Sequence, residues 1–239
     1  MARKNTFRTW DDYFIPGTSV LRNKFTEPGK PYGETDQDKL TALEEYHTRA
    51  RLIDLWAHPI AGRFDYEHMK AVHAYIFQDV YEWAGQPRVG PVWPDRMTKS
   101  GPNVLDPSDP EPAVYGYYPG DETMIAAAEA EYQRLADHDL LRGLNQDEFV
   151  AELAESWGEL NVIHSFREGN TRSQFVFFGQ LAEQAGYQID AAHFIMGGPL
   201  RDEFVFARFY SQATGNNERL SAVLGKAIAP FYRGPNGAD

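Results

Sequence analysis

The amino-acid sequence predicts an all-α fold, and two observations support this prediction. Apolar residues recur at helical spacing over most of the chain, which is the pattern of helices that bury one face. Signals for helix starts and ends accompany these runs, because Asp65 and Asn145 are suitable N-caps and Gly186 follows a helical run as a stop. The 239 residues suit one domain with a sizeable core.

The N-terminal part predicts an irregular arm followed by two helices. Residues 1–35 are rich in glycine, proline and aromatic residues, and the aromatic side chains are expected to fix this arm to the body. The first helix is expected from about Asp36 to Trp56, and the second from about Asp65 to Gly85. Four histidines in this part share no motif with a carboxylate and are interpreted as structural or surface residues. They are His47, His58, His68 and His73.

Helical spacing is absent between Gly85 and Gly120. This segment holds eight prolines and several aromatic residues, and it is long for a loop without secondary structure in a compact domain. Such loops are often functional, although an ordinary surface insert is the alternative. The residues alone leave both interpretations open.

Helical spacing returns after Gly120 and continues into the C-terminal region. The expected helices run from about 121 to 139, from 145 to 163, from 175 to 185, from 199 to 213 and from 217 to 228, with a short helix or turn at 190–196. The domain prediction is therefore an irregular arm at 1–35, a core domain at 36–232 with an insert at about 85–120, and a polar tail at 233–239.

Charge and residue content argue against several classes of protein. Lys and Arg total 23 against 35 Asp and Glu, giving a net charge of −12, so no nucleic-acid partner is expected. The absence of cysteine excludes disulfides, a thiolate nucleophile and zinc–sulfur sites. No run is apolar enough to cross a bilayer, and the first residues lead into no apolar signal segment. The sequence therefore predicts a cytoplasmic protein without a membrane partner or a Sec-type signal, and it leaves delivery to another cell open.

One connector between two predicted helices, His164 to Gln174, concentrates residues that carry chemistry. A helix start presents unpaired backbone N–H groups and the positive end of the helix dipole, so it favours an anion. Gly169 permits a tight turn, and Asn170 or Thr171 can serve as the N-cap of the second helix.

The charged and titratable side chains of the connector suit chemistry at a nucleotide phosphate. Arg172 can add a guanidinium fork to a phosphate at the helix start. Glu168 is placed to hold Mg²⁺, which usually takes one or two carboxylates plus phosphate oxygens. His164 has a pKa range suited to removing a proton from a hydroxyl near neutral pH. Each position alone is most simply a solvated loop residue, but their co-location within nine residues favours a phosphate site.

The connector resembles the signature of the Fic domain family, H-x-F-x-[D/E]-G-N-x-R. Two further segments are similar to the family: Val72–Gly85 resembles the helix before its flap, and Leu21–Lys24 resembles its N-terminal segment. The likeness covers about residues 12–215. The motif positions present in register are His164, Phe166, Glu168, Gly169, Asn170 and Arg172.

This resemblance implies a Fic-like helical bundle with a small β-hairpin flap near the active site. In the family the flap holds a segment of a target protein by strand addition. The flap is expected within the insert, and the target is expected to dock around Val89–Trp93, where Pro91 would limit the strand to a sheet edge.

The resemblance also implies an activity, that of a protein adenylyltransferase (AMPylator), in a toxin or effector. His164 would be the general base that takes the proton from a Ser, Thr or Tyr hydroxyl, whose oxygen then attacks the α-phosphate of ATP. Glu168 would ligate Mg²⁺, and Gly169–Thr171 would cradle the phosphates with Arg172 on the β-phosphate side. Phe166 is expected to point into the core and fix the loop.

Two positions depart from the family pattern. Thr171 stands where the motif commonly has glycine, and Phe175 replaces a final arginine that helps to place the γ-phosphate and pairs with an inhibitory glutamate in many members. The family's inhibitory pattern, [S/T]-x-x-x-E-[G/N], is approached at 41–46 and at 214–219, but both segments fail at the last position. A separate antitoxin-like partner could supply inhibition, and the sequence leaves its existence open.

Three functions stay open from the sequence. The first is transfer of AMP to protein hydroxyls. The second is a different use of the same site, as a protein kinase, in UMP transfer or in removal of AMP. The third is a catalytically weak protein that binds a nucleotide or a partner. Phe175, in place of the motif's second arginine, favours the second alternative, and Thr171 and Phe175 together favour the third.

Overall fold

Seven α-helices, three short 3₁₀ helices and two small antiparallel sheets form the regular structure of residues 7–93 and 95–231, which the computed structural model describes. The helices are α1 Gln37–Ala57, α2 Tyr66–Phe77, α3 Glu122–Asp137, α4 Gln146–Ile163, α5 Asn170–Ala185, α6 Arg201–Thr214 and α7 Glu218–Gly225. The strands are β1 Thr98–Gly101, β2 Ala113–Gly116, β3 Tyr187–Ile189 and β4 Ile228–Pro230. The predicted helical fold with a small hairpin is confirmed, and the expected tail at 233–239 lies outside the described residues.

Side-chain caps start four helices where the sequence predicted them. Asp36, Asp65 and Asp121 accept backbone N–H bonds from the first turns of α1, α2 and α3. Asn145 and Glu148 form a capping box at the start of α4. These bonds satisfy N–H groups that every helix start leaves unpaired, so the local sequence is sufficient to locate the starts.

Helix α2 ends at Phe77, well before the predicted end at Gly85. The chain turns after Phe77, and Tyr81 and Trp83 are buried in the core beside the helix. Gly85 has φ +79°, and a Cβ there would stand 2.7 Å from the Cβ of Ala74. The segment therefore folds back on α2, and its apolar spacing reflects burial in turns.

Helix α4 lies in the centre of the larger hydrophobic core, with Trp157 fully enclosed. It packs against α3, α5, α6 and α7. A second core cluster joins α2 to the N-terminal arm, where Tyr13 stacks on Phe7 and contacts Trp83 edge-on. Burial stabilises each such large side chain by about 1.5–3 kcal/mol. The connector between α4 and α5 is therefore held by two firmly packed helices.

The β-hairpin lies further along the chain than predicted. Strand β1 pairs antiparallel with β2, whereas the stretch Val89–Trp93 is irregular, so the prediction of a strand there is wrong. Pro91 lacks the N–H that a ladder needs, and neither β1 nor β2 contains a proline. The hairpin forms where the proline-rich insert leaves two proline-free stretches that can pair.

The sheet of β3 and β4 was not predicted. The last helix was expected to reach residue 228 but ends at Gly225, and Ile228–Pro230 pairs with Tyr187–Ile189. Strands of three residues are too short for an alternating pattern to stand out, and their pairing joins distant parts of the chain. None of the described helices is long and apolar enough to span a membrane.

Candidate active site

The chain leaves α4 through His164, which has a left-handed backbone conformation. Its φ of 51° and ψ of 59° lie in a region that residues other than glycine enter at an energetic cost. Arg88, which is 2% exposed, fixes this turn: its Nε donates to the His164 carbonyl at 2.7 Å, and its backbone N–H donates to the Ser165 carbonyl at 2.8 Å. The positive charge of Arg88 also interacts favourably with the negative, C-terminal end of the α4 dipole. The turn that presents the histidine is thus held from outside the connector.

Sequence reasoning missed Arg88. The side chain also donates to the Tyr118 carbonyl at 2.6 Å, so it links α4 to the chain just after the hairpin. Burial lowers the pKa of the guanidinium to about 10, which leaves it charged near neutral pH. The sequence signal that could have pointed to Arg88 is a lone arginine among prolines and apolar residues, shortly after the helical pattern that ends at Gly85.

The imidazole of His164 is buried and neutral. It is 1% exposed and lies against the ring of Tyr117, with the ring centres 4.0 Å apart. Its Nδ1 lies 3.2 Å from the Asn161 carbonyl, which can only accept, so the proton is assigned to Nδ1. Burial, together with the positive charges of Lys99 and Arg88, lowers the pKa of the ring well below its ordinary value. Nε2 is buried without a hydrogen-bond partner in the described part of the chain, so its lone pair can take a proton.

Asn170 and His73 fold the connector onto the core. The Asn170 side chain donates to the Phe166 carbonyl at 2.7 Å and accepts the Phe166 N–H at 2.9 Å. The Phe166 ring is buried, as predicted, and stacks on His73 with the ring centres 3.8 Å apart. Nε2 of His73 donates to the Glu168 carbonyl at 3.0 Å. His73 is therefore a structural histidine, but one that holds the connector itself.

Helix α5 starts without a side-chain cap. Gly169 occupies the N-cap with φ 82°, and a Cβ there would stand 2.1 Å from Cζ of Phe77, so only glycine fits. The prediction that Asn170 or Thr171 is the N-cap is wrong: Asn170 binds the connector, and the Thr171 hydroxyl accepts from Arg208. The start of α5 therefore keeps backbone N–H groups for an anion.

Glu168 lies half-buried beside this helix start. Its Oε1 accepts the Gly169 N–H at 3.0 Å. Burial raises the pKa of the carboxyl, but Lys99, the Gly169 N–H and Arg172 outweigh it and leave the pKa below its usual range. No group of three or more His, Asp or Glu side chains suited to a metal occurs among the described residues. The ionised Glu168 nevertheless fits Mg²⁺, which commonly takes one carboxylate and completes its shell with phosphate oxygens.

Arg172 extends from α5 towards α1. It forms an ion pair with Glu44 and donates to the Thr48 hydroxyl at 3.1 Å. Its guanidinium lies 4.7 Å from the ring centre of Phe77. Glu44 belongs to the segment 41–46 that approaches the inhibitory pattern, although the glutamate of that pattern would be Glu45. The arginine that the sequence assigned to a phosphate is thus already paired.

A second arginine near the start of α5 was missed by sequence reasoning. Arg208 of α6 donates to the Asn161 carboxamide oxygen at 3.0 Å and to the Thr171 hydroxyl at 3.1 Å. Arg88, Lys99 and Arg208 all have no ion pair within the described ranges, and all three lower the pKa of His164. In a chain of net charge −12, the site is locally positive, as anion binding requires.

The hairpin side of the molecule covers the imidazole. Tyr117 follows β2, and its ring lies on that of His164, which is 1% exposed. A cavity of about 780 Å³ between α3, α4 and α6 includes no connector residue. Its lining carries four glutamates, which disfavour a phosphate. They are Glu131, Glu152, Glu155 and Glu159.

Comparison with known proteins identifies relatives that cover most of the chain. The family model described as Fic/DOC family matches residues 63–182, a range that contains the connector. The protein adenylyltransferase VbhT of Bartonella schoenbuchensis is 33% identical over 222 residues, which cover 92% of this chain and 40% of that protein. The probable protein adenylyltransferase y4lH of Sinorhizobium fredii is 37% identical over 196 residues, covering 80% of this chain and 83% of that protein. The chain thus spans less than half the length of the first of these relatives.

Solved structures agree on the fold. The Fic domain of the Bartonella effector Bep8 has a TM-score of 0.71 at 26% identity, and the match covers 90% of this chain and 93% of that one. The BepC protein of Bartonella tribocorum, solved with bound AMPPNP, has a TM-score of 0.73 at 19% identity, and the match covers 96% of this chain and 100% of that one. Both matches cover at least 90% of this chain, so the solved structures share its fold.

Proposed function

Because the chain belongs to the Fic/DOC family, we propose that it is a protein adenylyltransferase, which transfers AMP from ATP to a Ser, Thr or Tyr hydroxyl of a target protein. One observation carries this proposal: the neutral His164 has an Nε2 without a partner among the described residues, on the connector that leads into the uncapped start of α5. The names of the two relatives, a protein adenylyltransferase and a probable protein adenylyltransferase, support the same reaction class.

His164 takes the proton in the proposed reaction. Nε2 accepts it from the target hydroxyl, whose oxygen forms a bond to the α-phosphorus of ATP while the bond to the bridging oxygen breaks and pyrophosphate leaves. The Asn161 carbonyl holds the Nδ1 proton and stabilises the imidazolium that forms. A positioned base of this kind contributes about 10²–10⁴-fold to the rate.

The start of α5 holds the phosphates in this proposal. Backbone N–H groups of Asn170 and Thr171 bind phosphate oxygens, and the Gly169 N–H joins them when it leaves the Glu168 carboxylate. The helix dipole favours the negative charge. Arg172 reaches a phosphate only when its ion pair with Glu44 opens. Glu168 would hold Mg²⁺ together with phosphate oxygens, and the ion, when bound, would neutralise charge that grows on the phosphates.

The hairpin is the proposed docking place for the target, in place of Val89–Trp93. The position of the hairpin supports this role. Tyr117, which follows β2, lies on His164, and the charge of Lys99 in β1 lowers the pKa of Glu168. An extended target segment would add to the exposed edge of the two-stranded sheet through main-chain hydrogen bonds. Docking there would bring a side-chain hydroxyl towards Nε2 as the Tyr117 ring moves aside.

Labelled ATP tests the proposal. The purified protein is incubated with a cell lysate and ATP that carries the label at either the α or the γ phosphate, with the His164→Ala variant as a control. Transfer of the α label to protein, lost in the variant, supports adenylylation, and mass spectrometry of the labelled band then identifies the target residue. Transfer of the γ label alone indicates a protein kinase, and absence of both labels contradicts transfer from ATP.

Similar solved structures also support a proposal for the biological role. Translocated Bartonella effectors are among the similar solved structures, which supports an effector or toxin role. The reaction needs ATP and protein hydroxyls, so we place it in a cytoplasm, with no nucleic-acid or membrane partner. A separate antitoxin-like inhibitor stays a prediction. Slowed growth on expression of the wild type, but not of His164→Ala, would support the toxin role.

A further inference from the structure

Phe175 takes part in core packing at the position where the family pattern carries its final arginine. The ring lies 4.9 Å from the ring of Trp157 and 5.3 Å from that of Phe204, measured between ring centres. Helix α5 therefore presents no guanidinium of its own on the side that faces α6. A phosphate at the start of α5 would lack a cation from this position.

Arg208 brings a guanidinium to the same side of α5 from another helix. On α6 it lies one helical turn after Phe204, and on α5 it contacts Thr171, which lies one turn before Phe175. Asn161 at the end of α4 fixes the other edge of the guanidinium, with Nε 3.0 Å from Oδ1. The cation is thus oriented by two neutral side chains and lies closer to the helix start than position 175.

The charge of Arg208 is not compensated. Its hydrogen-bond partners are a hydroxyl and a carboxamide, and no carboxylate forms an ion pair with it in residues 7–93 and 95–231. Arg172, which extends from α5 towards α1, is neutralised by Glu44. Burial lowers the pKa of Arg208 to about 10, so it stays charged near neutral pH. A half-buried unpaired cation is costly unless an anion joins it.

Two further observations indicate that a ligand binds here. The start of α5, to which the guanidinium is bound through Thr171, has no side-chain cap, so its N–H groups can bind phosphate oxygens. The buried Nε2 of His164, on the same connector, has no partner among the described residues and can accept a hydrogen bond from a hydroxyl group. Polar groups of this kind are normally satisfied in a folded protein, so the helix start suits an anion and Nε2 suits a hydroxyl donor.

We propose that Arg208 is a phosphate-binding residue of this site, which supplies from α6 the guanidinium that Phe175 does not. The ligand that we propose is the polyphosphate chain of the nucleotide. The identity of this ligand rests on the proposed function. Non-bridging phosphate oxygens accept charge-assisted hydrogen bonds from the guanidinium while Thr171 and Asn161 hold its orientation.

Binding of inorganic tripolyphosphate and of ATP, measured by calorimetry, tests this role without requiring transfer. Arg208→Gln should weaken both affinities by about 10-fold or more, because it removes a charge-assisted hydrogen bond. Arg208→Lys should retain part of the affinity, since the charge stays while the fork is lost. The control is Arg219→Gln, which removes an exposed arginine that stacks on Tyr210 and should bind as the wild type does.

A second measurement on the wild type avoids any loss of folding in the variants. Phenylglyoxal, which modifies arginine side chains, is applied with and without tripolyphosphate, and the modified peptides are quantified by mass spectrometry. Protection of Arg208 but not of Arg219 supports the proposal. Equal modification of Arg208 with and without the ligand, unchanged affinity of Arg208→Gln, or absence of tripolyphosphate binding by the wild type overturns it. Intact binding without transfer of the α label would instead contradict the proposed function alone.

Discussion

Acidification should destabilise the protein through His73 before its carboxylates are protonated. This histidine is completely buried, and its Nδ1 accepts the Gly85 N–H at 2.8 Å while its Nε2 donates to the Glu168 carbonyl at 3.0 Å. Only the neutral ring can accept and donate in this way. Burial accordingly lowers the pKa of His73 to about 3, against an ordinary value of 6.5.

The magnitude follows from linkage between proton binding and folding. Because the folded pKa lies below the unfolded one, the unfolded chain takes up the proton first as the pH falls. The contribution to stability is therefore complete above about pH 6.5 and is lost progressively towards the folded value of about 3. Between about pH 6.5 and pH 5, this one group should lower the free energy of unfolding by about 1.6 kcal/mol.

Urea unfolding at about pH 8, 6.5 and 5 measures the effect through the pH dependence of the free energy of unfolding. His73→Gln removes the titrating ring, so its stability should fall by about 1.6 kcal/mol less than that of the wild type between pH 6.5 and 5. His58→Gln is the matched control, because the His58 side chain is 78% exposed. Parallel pH profiles for the wild type and His73→Gln would refute the reasoning.

Three further changes test other parts of the site. Arg88→Met should lower the free energy of unfolding, measured in urea, by about 3–5 kcal/mol, because it leaves buried carbonyls of the turn after α4 unpaired. A loss below about 1 kcal/mol would show that the turn is stable without Arg88. Gly169→Ala should destabilise the protein, because the backbone has a positive φ there and the new Cβ would collide with Phe77. Gly179 also lies in α5, but a Cβ there meets nothing within 4 Å, so Gly179→Ala should be neutral or stabilising by up to about 1 kcal/mol. Equal effects of the two substitutions on the free energy of unfolding would contradict the close fit at Gly169. Glu168→Gln should abolish the Mg²⁺ dependence of ATP affinity in calorimetry, and an unchanged dependence would exclude it as the ligand.

Local signals located most of the helices in advance. Asp36, Asp65, Asp121 and Asn145 begin their helices because a side chain binds N–H groups two or three residues ahead, which the sequence displays directly. The hairpin was misplaced because strand pairing joins residues that are distant in sequence, and Val89–Trp93 offered apolar residues without a partner. Hydrophobic periodicity identifies which face of a helix or strand is buried, but it does not identify which other element packs on that face.

The site was predictable only as far as one stretch of sequence could carry it. His164, Glu168 and Gly169 lie within six residues of one another in the chain, so their spacing alone indicated a phosphate site. Arg88 and Arg208 reach the connector from other elements, so no local pattern pointed to them. The same holds for the side chains that stabilise the connector, since the contact of Phe166 with His73 exists only after α2 packs beside α5.

The central claim is that the neutral imidazole of His164 removes the proton from a target hydroxyl, and one comparison tests it most directly. Transfer of the α label from ATP and the affinity for ATP are measured for the wild type and for His164→Ala under identical conditions. The account predicts that the variant binds ATP as the wild type does while transfer falls by about 10²–10⁴-fold, because a base and not a binding group is lost. Transfer by His164→Ala at the wild-type rate would contradict the account.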